Sequence, residues 1–562
     1  MKALLPAVGP VLILLSALPF PAGRFSGGRI VLPLSFGSFC RAALMLYALA
    51  IPMVLHGGVL LLPGGAFGCD ASGALFLLAF SAAAISFLCE SEAGFLPWTG
   101  VCLAAFAQSE ESLALTCALT LLAARPQSRA DWVTSFLLAA SVSVTPVLSV
   151  VLLLWGLFRA GAGRAQSAGW PVLLSGLVSL IGVRVFLTGF AGRPPVSQAG
   201  VLLAGGSCVV AILLAIMALR ANRMSRTVAS LTATATALIP GSIGLAVMAR
   251  EGEMPVTGQA AVSAVAIAVM TILPAAGLVS AAGRIFAFGC DSDLSARLRA
   301  MHQSLPDIAI IFGAGLFSLS CLPPGGMFTV FWLHIQVLLT MPSGTALATI
   351  LPWRLLLAGA GLAAGLGLCG IVRLAGQIYG RSSGEAIRPP ARSVPVHVTG
   401  ALLVPLAVSL VAAFLPGAVL SWQGIPVSGW LSVSAPDGLS SWMPLPVAVA
   451  VAVALWGIRW LRLRAGVQRA SVQTEWSGGL PARAAATPQT DAVYLALRRM
   501  LTDAPVLRFP RPRTRDVRYV RRIASRVLTA ISAAADRQVP VLLLIALLAA
   551  LVILSSGGGT GP

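Results

Sequence analysis

The chain alternates long apolar runs with short polar stretches, and the runs are of membrane-crossing length. A helix rises about 1.5 Å per residue, so a hydrocarbon core of about 30 Å needs roughly 20 apolar residues. On that rule the pattern predicts helices near 3–20, 41–63, 72–90, 95–108, 112–124, 132–158, 170–190, 199–219, 228–249, 257–282, 306–322, 326–341, 351–376, 397–421, 443–461 and 539–556. The expected fold is an all-α polytopic membrane protein of roughly 14–16 transmembrane helices, with a discontinuous helix near 306–341 and a C-terminal lateral amphipathic helix plus anchor. It falls into N-terminal helices (1–90), a core (91–421), a loop with a further helix (422–461), a basic segment (462–538) and a closing anchor and tail (539–562). The run Ala3–Phe20 resembles a signal peptide, but it is long enough to span and is followed by more spans; an uncleaved first helix is expected.

Composition sharpens this picture. Of the 562 residues, 57% are hydrophobic and 10% charged, against about 25% charged in soluble domains. A bundle whose outside faces lipid needs that surplus. The 38 basic residues outnumber 18 acidic ones, and Lys2 is the only lysine. A net charge of +20 raises nucleic acid as a partner. The basic residues, however, gather between apolar runs: Arg159 and Arg164; Arg220, Arg223 and Arg226; Arg284, Arg297 and Arg299; Arg373, Arg381, Arg388 and Arg392. That is the positive-inside pattern of cytoplasmic loops. The stretch 422–442 has no basic residue and is expected on the opposite side.

Residues 459–537 differ, with 16 Arg and five acids. Within them, 515–537 places Val517, Val520, Ile523, Val527, Leu528 and Ile531 largely on one face and Arg518, Arg521, Arg522 and Arg526 on most of the rest. That spacing predicts a basic amphipathic helix along a membrane surface or a partner subunit.

Little else in the chain signals chemistry. The nine cysteines (40, 69, 89, 102, 117, 208, 290, 321 and 369) form no CxxC or Cys/His ligand spacing. No phosphate-binding loop, nucleophile triad or zinc-protease pattern is visible. No metal, cofactor or catalytic residue is expected in this chain.

The informative stretch runs from Leu305-Pro306-Asp307 to Ser318-Leu319-Ser320-Cys321-Leu322-Pro323-Pro324-Gly325-Gly326-Met327-Phe328. Two prolines and two glycines break a helix, either inside the membrane, where freed backbone groups line a cavity, or as a plain loop between two spans.

This segment resembles the antiporter-like subunits of respiratory complex I and related membrane hydrogenases, closest to the large membrane subunit of formate hydrogenlyase and hydrogenase-4. Leu322, Pro323, Pro324, Phe328 and Trp332 match that family's helix-break motif. Ser175, Gly176 and Gly182 match its Ser-Gly helix, and Ala218, Leu219, Arg226 and Ala229 a further segment. The tail "EWSGGLPAR", the amphipathic stretch and the final run resemble the hydrogenase version, which carries a lateral helix and anchor. The likeness runs in order from about 90 to 556. It implies a subunit of a hydrogenase or NADH:quinone oxidoreductase-like complex in a bacterial inner membrane, partnered by other membrane subunits and lipid.

The family moves protons through buried Glu, Lys and His, because a buried lysine changes its proton affinity with a nearby carboxylate. By the resemblance, the family's Glu falls on Gly100 and its key Lys on Leu180. Its Asp and Lys fall on Arg223 and Ser225, its His and Lys on Val265 and Val269, and the Glu after the break on Phe331. The fold's punctuation is kept while the relay is gone, which implies a subunit held for architecture. Residual candidates for a proton path are His334, Glu92, Glu110, Glu111 and Arg184. Each has a plainer reading: a packing histidine, interfacial caps, and an arginine that finds a partner or snorkels. Glu90 shares the cap reading with Glu92, Asp307 suits a first helical turn, and His56 and His397 carry no signal. An independent transporter, and an active proton translocator using these non-standard groups, remain as alternatives.

Overall fold

The computed structural model describes residues 5–17, 36–55, 60–61, 67–87, 95–124, 129–162, 169–188, 197–221, 223–287, 305–340, 347–379, 396–438 and 440–464. The chain divides into two compact units, Met1–Ala482 and Arg483–Pro562. The amphipathic stretch 515–537 and the anchor 539–556 lie outside the described residues.

The first unit is a helical bundle. Its elements are α1 (Leu5–Ala17), α2 (Phe36–Leu55), a two-stranded hairpin β1 (Leu60–Leu61) and β2 (Gly68–Cys69), α3 (Ala71–Ile85), α4 (Phe95–Ala105), α5 (Glu110–Ala123), α6 (Arg129–Ala140) and α7 (Pro146–Ala162). Next come α8 (Trp170–Gly182), which runs into a π-helical turn (Val183–Leu187), α9 (Ser197–Arg220), α10 (Met224–Thr236), α11 (Leu238–Glu251) and α12 (Pro255–Ala287). The last are α13 (Pro306–Ser318), α14 (Gly326–Thr340), α15 (Leu347–Tyr379), α16 (Val396–Phe414), α17 (Pro416–Trp422), the hairpin β3 (Val433–Ser434) and β4 (Ser441–Trp442), and α18 (Pro444–Arg464). This is a polytopic membrane fold. Among the described residues six helices, counting α10 with α11 and α8 with its π turn, are long and apolar enough to cross a bilayer alone. Shorter apolar helices make up the rest of the bundle.

The 33-residue α12 is the axis, enclosed by α3, α10, α11, α13, α14 and α16. Between lipid-embedded helices there is no water to expel, so close packing of small residues holds them together. A Cβ on Gly277 of α12 would stand 2.8 Å from the Ala83 Cβ of α3, and one on Gly244 of α11 would stand 2.7 Å from the Gly200 carbonyl of α9. Larger residues at either place would force the helices apart. In contrast, α15 and α18 leave most of their surface outside the bundle.

Proline explains where expected spans divide. The run 132–158 splits because Pro146, which lacks an N–H, opens α7 after a turn at 141–145. The run 397–421 bends by 95° where Pro416 opens α17. Some basic residues expected in loops are helical instead. Arg159 and Arg284 occupy last turns, and Arg373 lies within α15. There Arg373 donates to the Ala218 and Leu219 carbonyls at the C-terminus of α9, where unpaired carbonyls favour a cation.

Candidate functional site

The break forms beside the centre of α12. Phe312 of α13 approaches Gly283, and Gly315 of α13 packs on Leu278 and Val279. Ser318 then donates to Ser409 of α16 (2.6 Å), which donates to the carbonyl of Thr271 (2.9 Å), the central residue of α12. After the break, the site of a Cβ on Gly326 lies 2.8 Å from the Thr271 Cβ, and Val337 and Leu338 join a cluster with Ala260 and Ala261. The contacts therefore climb α12 from its C-terminus to its N-terminus. Segments 306–322 and 326–341, expected as a discontinuous helix near 306–341, run together along one long helix, α12. Pro324, Gly325 and Gly326 are buried, whereas Leu322 and Pro323 are exposed. Gly325 is required by crowding: its missing Cβ would lie 2.8 Å from the Leu322 carbonyl and 2.9 Å from that of Phe317. Trp442 of β4 covers the start of α14, its ring tilted against Phe328 (centroids 4.8 Å apart, planes at 54°) and its indole N–H donating to the Thr329 hydroxyl (3.0 Å).

His334 is buried near the middle of α14, about two helical turns beyond the break. Its Nδ1 lies 3.2 Å from the Val330 carbonyl, and its Nε2 faces the Ser242 hydroxyl of α11 at 3.4 Å. The imidazole lines a cavity of about 30 Å³ together with Ser207 and Cys208 of α9, Gly241 of α11 and Ala360 of α15.

Arg184 does have a partner. Asp70 takes it in a two-pronged ion pair, with both N–O distances 2.9 Å, and Arg184 also donates to the Ala105 carbonyl at 2.7 Å. Asp70 in turn caps α3, accepting from the Gly73 amide (2.9 Å) and the Ser72 hydroxyl (2.7 Å). The π turn re-aims the helix at this point, and Thr188 closes it by donating to the Arg184 carbonyl. Sequence reading missed Asp70, although an Asp just ahead of an apolar run is an N-cap signal. It also missed Arg41. The apolar run was taken to start at 41, which would leave that arginine at the interface; α2 starts at Phe36, and Arg41 is fully buried, hydrogen-bonded to the Cys102 thiol of α4.

Glu110 and Glu111 occupy the first turn of α5 behind the Ser109 cap, which pairs reciprocally with Ser112. Glu90, Glu92, His56 and the side chain of His397 lie outside the described residues. The structure thus brings Arg184 to Asp70 and His334 to Ser242. Among the described residues no three His, Cys, Asp or Glu side chains cluster as a metal site requires.

Of the seven positions that the resemblance assigns to the relay, Gly100, Leu180, Val265 and Val269 are tightly packed, whereas Ser225 and Phe331 are half-buried and Arg223 is exposed. Leu180 and Val269 are fully buried, Val265 is nearly so, and a Cβ on Gly100 would stand 2.9 Å from the Thr120 Cα. The buried hydroxyls nearby show two habits. Thr120, Ser179, Thr234 and Thr271 donate to carbonyls of their own helices, at Thr116, Ser175, Ser230 and Ile267, whereas Ser230 of α10 donates to the Gly161 carbonyl of α7 and the Ser318–Ser409 pair reaches the Thr271 carbonyl of α12.

No family model matches the sequence, and no curated protein does either. Solved structures do match in fold. A chain of the membrane-bound sulfane sulfur reductase, an archaeal respiratory membrane complex, aligns at a TM-score of 0.62 and 12% identity over 94% of this chain and 99% of that one. The fold is that of a respiratory-complex membrane chain. A chain of respiratory complex I from Thermus thermophilus aligns at 0.52 and 17% identity, covering 75% of this chain and 97% of its own. A chain of the Mrp complex from Dietzia sp. DQ12-45-1b aligns at 0.50 and 16% identity, over 96% of this chain and 63% of that longer one. At these identities the likeness is one of fold.

Proposed function

We propose that this chain is an integral membrane, antiporter-like subunit of a hydrogenase or NADH:quinone oxidoreductase-like complex in a bacterial inner membrane, closest to the formate hydrogenlyase and hydrogenase-4 type. It serves architecture and does not conduct protons by the family's relay. The observation that carries this reading is the packing at Gly100, Leu180, Val265 and Val269. An apolar, close-packed site offers a proton no acceptor and leaves no room for a bridging water.

Two measurements test it. Purification from detergent-solubilised membranes should bring down other membrane subunits of a redox complex; recovery of the chain alone would favour an independent transporter. The purified chain in liposomes should show no proton flux above empty vesicles under an imposed potential. Flux that His334→Ala abolishes would instead establish an active translocator working through non-standard groups, a reading favoured by the cavity beside His334.

A further inference from the structure

α18 spans the membrane while touching little of the bundle. Its apolar run, 444–461, is about 27 Å long at 1.5 Å per residue, and only 6% of that run is buried. Its two ends differ in chemistry. The first follows the stretch 422–442, which has no basic residue. The second carries Arg459, Arg462 and Arg464, and no acidic residue occurs from 444 to 464. A spanning helix that starts on one side ends on the other, so these arginines stand at the surface that the positive-inside pattern marks as cytoplasmic.

Four side chains at this end share a face. Trp456, Trp460 and Arg464 follow at intervals of four, and Arg459 comes three after Trp456. All four are exposed. The Arg464 guanidinium lies 4.1 Å over the Trp460 ring, a stacking that covers its face and not its N–H edge. Among the described residues neither Arg459 nor Arg464 meets a carboxylate at ion-pair distance. Guanidinium and indole groups donate hydrogen bonds and accept none. The face is therefore cationic and made of donors, and its complement is an anion made of acceptors. Toward the membrane centre the same face continues through the exposed Val453 and Val449, so the complement also has an apolar tail.

We propose that this face of α18 binds an anionic phospholipid. The phosphodiester lies against Arg459 and Arg464, the indoles of Trp456 and Trp460 mark the headgroup boundary, and an acyl chain runs along Val453 and Val449. Arginine's fork matches phosphate oxygens in pairs. A headgroup with a net negative charge is selected over phosphatidylcholine, whose choline cation would meet two guanidinium groups. The site does not depend on the architectural reading, since a lipid can sit on α18 whether or not the chain conducts protons.

Photocrosslinking of the full chain in nanodiscs tests it. Phosphatidylglycerol and phosphatidylcholine, each with the same diazirine on an acyl chain close to the glycerol, are added in turn as minor components of an unlabelled phosphatidylcholine bilayer. Mass spectrometry reads the label on peptides covering 449–464. Phosphatidylglycerol is expected to label them several-fold more. Arg459→Gln with Arg464→Gln should bring that label down to the phosphatidylcholine level and leave the thermal midpoint unchanged, because both side chains are exposed. Arg354→Gln, at an exposed arginine of α15, should leave the preference intact. Equal labelling by the two lipids, a preference that survives the double substitution, or an equal loss with Arg354→Gln overturns the proposal. So does the absence of label from either lipid, which would show that protein covers this face.

Discussion

Asp70 and Arg184 stand 114 residues apart in the chain and meet in a two-pronged ion pair, with both N–O distances 2.9 Å. The arginine is enclosed and the carboxylate partly open to solvent. Three elements meet there: the cap of α3, the end of α4 through the Ala105 carbonyl, and the π turn after α8. Removing one partner strands the other charge at a site built for two, at a cost of about 3–5 kcal/mol. Arg184→Gln and Asp70→Asn should therefore each lower the thermal midpoint sharply. The double variant should recover a substantial part, since neither charge is then left alone. Additive losses in the double variant would show that the two residues act separately.

Restoring the family's charges should damage this chain rather than repair it. Leu180→Lys places an ammonium in a fully enclosed apolar site with no carboxylate recorded beside it, and costs several kcal/mol. Gly100→Glu adds a steric fault, since its Cβ would stand 2.9 Å from the Thr120 Cα of α5. Both variants should show reduced yield and lower thermal midpoints in detergent. Neither should acquire proton flux in liposomes.

At the break, Ser318 and Ser409 are unequal partners. Ser409 bridges two elements, accepting from Ser318 and donating to the Thr271 carbonyl, whereas Ser318 makes one bond. Ser409→Ala should cost about 1–2 kcal/mol and Ser318→Ala clearly less. Denaturation in mixed detergent measures the difference, and equal losses would contradict the bridge.

Trp442 ties the β3–β4 hairpin to the start of α14. Trp442→Phe keeps the ring contact with Phe328 and loses the bond to Thr329, at a cost of about 1 kcal/mol. Trp442→Ala loses both and should cost about 2 kcal/mol. Limited proteolysis within 423–443 should accelerate modestly in the first and strongly in the second.

Much of the bundle was legible before any coordinates. Runs of 20 apolar residues leave a chain few choices in lipid, because every backbone group must bond within its own helix. Gly325 and Gly326 beside two prolines announced a break, and local backbone chemistry makes such a signal readable from sequence. Buried partnerships were not legible. Asp70 carries the signature of a cap and nothing that points to Arg184, and Arg41 sits at the head of an apolar run that begins five residues earlier in the fold.

The sequence by itself determined the class of the protein: a multi-pass helical bundle, a proline- and glycine-marked break within the discontinuous helix expected near 306–341, and a chain without a lysine beyond Lys2. These depend on local hydrophobicity, proline and glycine, and on what is present to be counted. Only the tertiary structure decided that the discontinuous helix runs along α12, that Arg184 belongs to Asp70, and that His334 faces Ser242 and the space over Gly241. Those are relations between helices distant in sequence. Side-chain shape and hydrogen-bond geometry set them, and neither leaves a periodic trace along the chain.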